Sequence, residues 1–337
     1  MAPCSAAART KGNRLKTLQR TWAIVLAAGD GTRLASLTTD ENGNSVPKQF
    51  CSLDGGSSLL ADAMHRARHV APRERVCVIV AEHHRRYWQS ALWATPSSNV
   101  IVQPRNCGTA NGILLATLKI LERDPLARIV FLPADHFVRN EAALAGSLRE
   151  AATELTRNAP ELLLIGIEPE EADPELGYVV PGGETGENVR TVARFVEKPE
   201  AAMARQLLKQ GALWNSFIFA ANGPALLGMI RAANPDTVEK LETALARDAR
   251  LGLRSLALEE AYEDLPSLDF SRGVMQGAES QLRVITAPAC GWSDLGTPKR
   301  VAEALKRFEP APRRRESIAM PAFINLAAQH ARLAMAG

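Results

Sequence analysis

No apolar run in this 337-residue chain approaches the roughly 18 to 20 residues of a membrane span, and no membrane engagement is expected. Neither sign of charge dominates. Lys plus Arg number 40 against 37 Asp plus Glu, which argues against nucleic-acid binding through a basic surface. No CxxC pair occurs. The five cysteines, Cys4, Cys51, Cys77, Cys107 and Cys290, are scattered and odd in number, as expected of reduced thiols in a cytoplasmic protein rather than a disulfide framework. Walker A, GxSxG and the third glycine of the dinucleotide fingerprint are all missing. His65 with His69, and His83 with His84, have no carboxylate or cysteine at a matching spacing, so they read as exposed or packed histidines rather than zinc ligands. There is no internal repeat.

What remains is an ordinary soluble composition, 46% hydrophobic and 23% charged, long enough for one large α/β domain or two smaller ones. Residues 1–21 carry Arg9, Lys11, Arg14, Lys16 and Arg20 without an acid; they read as a flexible basic leader, an organelle presequence being the other reading. Short aliphatic runs at 23–26, 75–81, 99–102, 128–132 and 161–167 read as buried strands. Helical spacing lies between them, at 57–70, 84–94, 109–121 and 140–157. This alternation predicts an α/β fold with a doubly wound, mostly parallel sheet. Strands at 177–180, 192–196 and 214–220 predict a smaller mixed sheet. Residues 222–262 read as helical, 282–287 as a late strand and 297–308 as a final helix. Residues 309–337 form a Pro/Arg-rich linker with a C-terminal helix expected within 316–336.

In such sheets ligands gather at the carboxyl ends of the strands. Three chemical segments follow strands directly. The first is Ala27-Ala28-Gly29-Asp30-Gly31-Thr32-Arg33, with Lys48 downstream in Pro47-Lys48-Gln49. Small residues and glycines free backbone N–H groups for an anion, and Arg33 and Lys48 add cations. The second is Gln103 to Ala110, QPRNCGTA, whose Asn106 amide suits a base edge and whose Gly108-Thr109 pair begins a helix. The third is Asp135 in PADH. A later acid, Asp294, sits in GWSDLG. Two carboxylates at strand ends suit Mg²⁺, a hard cation that shares its shell with phosphate and water.

These strings together resemble sugar-1-phosphate nucleotidyltransferases, the nucleotide-sugar pyrophosphorylase superfamily, and within it mannose-1-phosphate guanylyltransferases. The likeness runs over about residues 22–308, taken as one catalytic domain, and rests on LAAGDGTRL, PKQF, RNCGTA, LGYVV, EKP and WNSF. It implies that Ala28, Gly29, Gly31, Thr32, Gln103, Asn106, Gly108 and Thr109 bind the nucleotide. Arg33, Lys48 and Lys198 are then catalytic. Gly177, Glu197, Lys198 and Asn215 would place the sugar phosphate, and Asp135 and Asp294 would hold Mg²⁺. The implied reaction is GTP plus mannose 1-phosphate giving GDP-mannose and pyrophosphate. Alternatives are UTP or dTTP with a glucose-type phosphate, or a non-catalytic nucleotide-sugar sensor; a homo-oligomer is left open. The chain departs from the family pattern at Cys107 for a basic residue, Asn111 for a proline and Phe217 for a small residue. Leu265 to Met275 resembles a family segment with Asp269 as its acid, and no role is assigned to it.

Overall fold

The computed structural model of the chain describes residues 20–40, 42–157, 162–252, 255–306 and 324–336. Nearly all of the expected leader, and the linker at 309–323, lie outside the described residues.

The strands are β1 (Thr21–Ala27), β2 (Val76–Ala81), β3 (Val100–Gln103), β4 (Arg128–Pro133), β5 (Phe137–Val138), β6 (Leu162–Ile167), β7 (Tyr178–Glu184), β8 (Val189–Val196), β9 (Leu213–Asn222), β10 (Leu282–Thr286) and β11 (Trp292–Ser293). Nine of them make one sheet in the order β3-β2-β1-β4-β9-β6-β10-β8-β7. The block β3-β2-β1-β4 is parallel, as the alternation of strand and helix requires.

Beyond β4 the expectation needs correction. β9 is antiparallel and lies between β4 and β6. β6 pairs in parallel with β10, and β8 returns antiparallel to β10. The separate smaller sheet expected for the second half does not exist as such, because β7, β8 and β9 extend the main sheet. The only other sheet among the described residues is the two-stranded pair β5 and β11. Strand periodicity fixes which residues are buried but not which strands are neighbours, so a late strand inserting into an early block leaves no local signal.

Successive side chains alternate between two cores. Ala23, Val25 and Ala27 of β1 and Val130 and Leu132 of β4 face one side. Trp22 and Ile24 of β1 and Ile129 and Phe131 of β4 face the other. The first core is closed by helices Leu59–Ala67, Glu141–Arg157, Ala201–Lys209 and Pro298–Lys306. The second is closed by Thr109–Arg123, Gly223–Ala233, Pro235–Leu251 and Leu256–Glu263. Both faces are thus buried, which is why the central strands read as continuous apolar runs. No helix of the described residues is long and apolar enough to cross a membrane. The helix Leu326–Ala336 returns to the body. Leu326 is fully buried, Ser52 N–H donates to Ile324 O (2.7 Å) and Leu326 N–H donates to Ser52 O (2.8 Å).

Candidate active site

The adjacent parallel strands β1, β2 and β3 end side by side, so the loops that follow them share one rim. Asp30 in the β1 loop accepts from Asn106 Nδ2 in the β3 loop at 2.9 Å. The glycine loop is held from below: Gln49 Nε2 donates to the carbonyls of Ala27 (2.9 Å) and Gly29 (3.0 Å). Gly31 adopts a left-handed conformation (φ 62°), and a Cβ there would stand 3.2 Å from Lys48 Cβ and 3.3 Å from Lys48 N. Glycine is therefore required by both conformation and space. Ala28, Gly29 and Thr32 lie on the accessible side of this loop.

Lys48 is almost fully buried. Its ammonium forms an ion pair with Asp135 Oδ2 (2.9 Å) and donates to the carbonyl of Asp294 (2.6 Å). The small sheet explains why two aspartates so distant in sequence meet. β5 begins two residues after Asp135, β11 ends one residue before Asp294, and Phe137 pairs with Ser293. Trp292 Nε1 donates to His136 Nδ1 (3.2 Å), tightening the same junction. Burial acts to raise the Asp135 carboxyl, but the Lys48 ammonium together with His136 and hydrogen bonds outweighs it and holds the group below the usual carboxylate range. The same opposition, with Arg300 as the main counter-charge, lowers Asp294. Arg300 Nη1 donates to Asp294 Oδ1 (2.7 Å), and its other nitrogens bind Asp173. Nothing in the sequence spacing pointed to Arg300 or Asp173.

On the other side of the rim, Gly177, Glu197 and Asn215 meet. Asn215 N–H donates to Gly177 O (2.8 Å), and a Cβ on Gly177 would stand 2.6 Å from Glu197 Oε2 and 3.3 Å from Asn215 Cβ. Burial, and then the nearby Asp269 carboxylate, push the Glu197 carboxyl up. Lys198 is exposed, with φ 47°. Arg33 reaches from the β1 loop to Glu175, just before Gly177, at 3.4 Å; the two side chains are 53% and 52% exposed. An exposed pair of this kind contributes about 1 kcal/mol or less. Arg33 can exchange that partner for a phosphate at little cost.

The unassigned segment 265–275 closes the circuit. Ala110 N–H donates to Leu268 O (3.0 Å), Leu268 N–H to Cys107 O (3.0 Å), and Phe270 N–H to Thr109 Oγ1 (2.8 Å). Asn111, standing where the family has proline, donates through Nδ2 to Pro266 O (2.8 Å) and Cys107 O (2.7 Å). The two departures from the family string thus have structural uses: Cys107 is buried under this strap and Asn111 fastens it. Gln103 ends β3, three residues before Asn106. It is buried beside Gly112, in the first turns of the helix that Thr109 begins, and its Oε1 has no hydrogen-bond partner among the described residues. A cavity of about 250 Å³ opens beside Asp294, lined by Trp214, Trp292, Asp173 and Arg300 among others. Neither the glycine loop, Lys48 nor Glu197 lines it, so it adjoins the rim rather than fills it.

Phe217 is the third departure. β9 carries a bulge opposite Ile165, and Phe217 sits in it with φ 55°. Its amide donates to Asn215 Oδ1 (3.1 Å) and its ring meets Phe219 and Phe270 edge-on. A left-handed phenylalanine costs about 1–2 kcal/mol, which glycine would not. Phe217→Gly removes that strain and also the half-buried ring. The two nearly cancel, and the expected change in denaturation free energy is within about 1 kcal/mol, against the roughly 3–5 kcal/mol of an ordinary buried Phe→Ala. A loss at the upper end of that range in urea titration would show the backbone to be unstrained.

The nucleotidyl transferase family model matches residues 22–309. A mannose-1-phosphate guanylyltransferase of Salmonella muenchen is 30% identical over 282 residues, covering 81% of this chain and 57% of that protein. A putative mannose-1-phosphate guanylyltransferase of Vibrio cholerae is 29% identical over 290 residues, with 81% and 58% covered. The chain therefore spans little more than half the length of these relatives. Among solved structures, one described as a mannose-1-phosphate geranyltransferase from Thermus thermophilus superposes with a TM-score of 0.70 at 28% identity, covering 87% of this chain and 81% of that one. On the match to residues 22–309, and with the loops of that region gathered on one rim, the chain belongs to the nucleotidyl transferase family of enzymes.

Proposed function

We propose that the protein transfers a guanylyl group from GTP to mannose 1-phosphate, giving GDP-mannose and pyrophosphate. The observation that carries the transfer chemistry is Lys48, which packs against Gly31 while its ammonium joins Asp135 to the Asp294 backbone. The choice of GTP and mannose 1-phosphate is supported by the likeness to mannose-1-phosphate guanylyltransferases. One cation thereby ties the anion-binding loop to the Asp135 carboxylate and to the Asp294 main chain. In the proposal the backbone of Gly29 to Thr32 and the Arg33 guanidinium receive the triphosphate, and Asn106, Gly108 and Thr109 lie toward the base. Glu197, Asn215 and Lys198 place the sugar phosphate, whose oxygen attacks the α-phosphorus in line. That phosphate is already ionised, so no general base is needed. The protein then works by positioning and charge neutralisation.

The donor chemistry fits Mg²⁺. Asp135 and Asp294 would supply hard carboxylate oxygens from residues that β5 and β11 bring close, counter-charges favour the ionised form of each, and Asp294 Oδ1 would exchange its Arg300 contact for the ion. Bound there, Mg²⁺ would neutralise repulsion between the two phosphates. Assaying GTP, ATP, UTP and dTTP against mannose, glucose and galactose 1-phosphates tests the reading. GTP with mannose 1-phosphate should release pyrophosphate fastest. Preference for UTP or dTTP would reassign the substrates. Binding of GDP-mannose without pyrophosphate release from any pair would make the protein a sensor.

Glu197 supplies a pH test. Its raised carboxyl takes up a proton as pH falls sooner than the ordinary value of 4.5 would allow, and the protonated acid accepts sugar hydroxyls poorly. The KM for the sugar phosphate should therefore rise on acidification from above pH 4.5. Glu197→Gln should raise that KM about tenfold or more at neutral pH and flatten the component of the profile that the wild type shows beyond it. Identical profiles for the two proteins would remove Glu197 from the sugar site.

A further inference from the structure

The ends of β1, β2 and β3 bring together a second group of ligand atoms that the transfer reaction does not use. Asp30 follows β1, and His83 and His84 lie in the turn Glu82–His84 that follows β2. Because β1 and β2 pair with Ala27 opposite Val80, these turns are neighbours. Both histidines point the same nitrogen at one oxygen. His83 Nε2 is 2.8 Å and His84 Nε2 3.3 Å from Asp30 Oδ1. One donor atom from each residue falls within 4.8 Å of those of the other two.

We propose that Asp30, His83 and His84 bind a transition-metal ion of the Zn²⁺ class, at a site distinct from the Asp135–Asp294 pair. Tetrahedral ligands about 2.0–2.1 Å from such an ion stand roughly 3.3–3.4 Å apart. The His84 to Asp30 separation already has that value, and the His83 separation reaches it by opening about half an ångström. The opening is available to His83, whose side chain is 48% exposed. His84 is buried and packed edge-on to Phe50, which fixes its ring before any ion arrives.

The surroundings favour the ligand forms. Asn106 Nδ2 occupies Asp30 Oδ2, leaving Oδ1 turned to the histidines, as outer partners of metal carboxylates do. Burial pushes His84 down to about 4, so the imidazole is neutral at physiological pH, and an ion at Nε2 would take the place of the proton shared with Asp30. Partial burial raises the Asp30 carboxyl, but hydrogen bonds from Asn106 and His83 outweigh it and keep the group ionised. Two imidazoles and one carboxylate select Zn²⁺, Co²⁺ or Ni²⁺ over Mg²⁺, which prefers oxygen alone. The exposed sides of Asp30 and His83 leave room for water or a phosphate oxygen in the fourth position. An ion held there would fasten the glycine loop to the end of β2.

The test is titration of the full chain with Co²⁺, followed by visible absorption, and with Zn²⁺ by calorimetry, both in excess Mg²⁺. One Co²⁺ per chain should bind with an imidazole-type spectrum, and Zn²⁺ should displace it. Asp30→Asn and His83→Ala, both at accessible side chains, should each weaken binding at least ~10-fold with unchanged circular dichroism. Asp135→Asn should leave the affinity as it is. The pair His65 and His69, with ring centroids 5.3 Å apart at the end of the helix Leu59–Ala67 and in the turn after it, is the competing surface site. Loss of binding in a His65→Ala/His69→Ala double variant would overturn the proposal. So would affinities unaltered by Asp30→Asn and His83→Ala, displacement by equimolar Mg²⁺, or no binding at all.

Discussion

Lys48→Met is expected to lower turnover at least about a hundredfold at saturating substrates. The ammonium makes two short charge-assisted contacts, to Asp135 Oδ2 and to the Asp294 carbonyl, each worth roughly 1.5–3 kcal/mol. Stability should fall as well. Removing one partner of a buried ion pair costs about 3–5 kcal/mol when the other charge is left uncompensated. Asp135 keeps 36% of its side-chain surface exposed, so water meets part of that demand. A loss of about 2–3 kcal/mol is expected for that reason. Urea denaturation and pyrophosphate release measure the two effects. The double variant Lys48→Met/Asp135→Asn separates them, because removing the orphaned carboxylate should restore most of the stability and none of the activity. A single variant as stable as the wild type would mean that Asp135 had never depended on Lys48.

Gly108→Ala should be the most destabilising glycine substitution on the rim. Gly108 has φ 87° and ψ 167°, a region essentially closed to L side chains. A Cβ there would stand 2.8 Å from both the carbonyl carbon and the nitrogen of Leu268 and closer still to its oxygen. These are backbone atoms and cannot swing aside. A loss of at least about 3 kcal/mol follows from strain plus the broken strap. The affected region can be read directly, since the amides of Ala110 and Phe270 should exchange hydrogen faster while those of β1 and β2 stay protected. The nucleotide KM should rise with them. Gly146→Ala is the control. Its Cβ would meet nothing within 4 Å in the helix Glu141–Arg157, and it should be neutral or stabilising by up to about 1 kcal/mol. Equal effects at the two positions would mean that the close approach of Leu268 is not what makes Gly108 necessary.

The parallel block was legible because buried strands announce themselves as apolar runs such as Ala23–Leu26 and Val76–Ala81. The insertion of β9 between β4 and β6 was not, since the run Trp214–Ala220 looks the same whichever neighbours it takes. The site divides in the same way. Residues on strand-end loops, such as Gly31, Asn106 and Asp135, could be placed by position and chemistry. Arg300, Asp173 and the Leu268 strap could not, because each acts by touching a residue more than a hundred positions away. The histidines show a reading that holds only along the chain. His83 and His84 have no carboxylate partner at a ligand spacing in sequence, yet Asp30 reaches both through the pairing of β1 and β2. Left-handed backbone at Lys198, Phe217 and Leu295 was equally invisible, since nothing in a non-glycine side chain declares it.

The place of β9 also bears on how the chain is made. A ribosome delivers residues 128–167 before Leu213–Asn222 exists, so β4 and β6 both emerge with a bare hydrogen-bonding edge and no neighbour to cover it. The sheet cannot be completed in order of translation: β9 enters between β4 and β6 only after both exist, and β10 then enters between β6 and β8. A nascent chain stalled between Ile167 and Leu213 would leave one edge of β4 and both edges of β6 uncovered, and that interval is where a chaperone has most to protect.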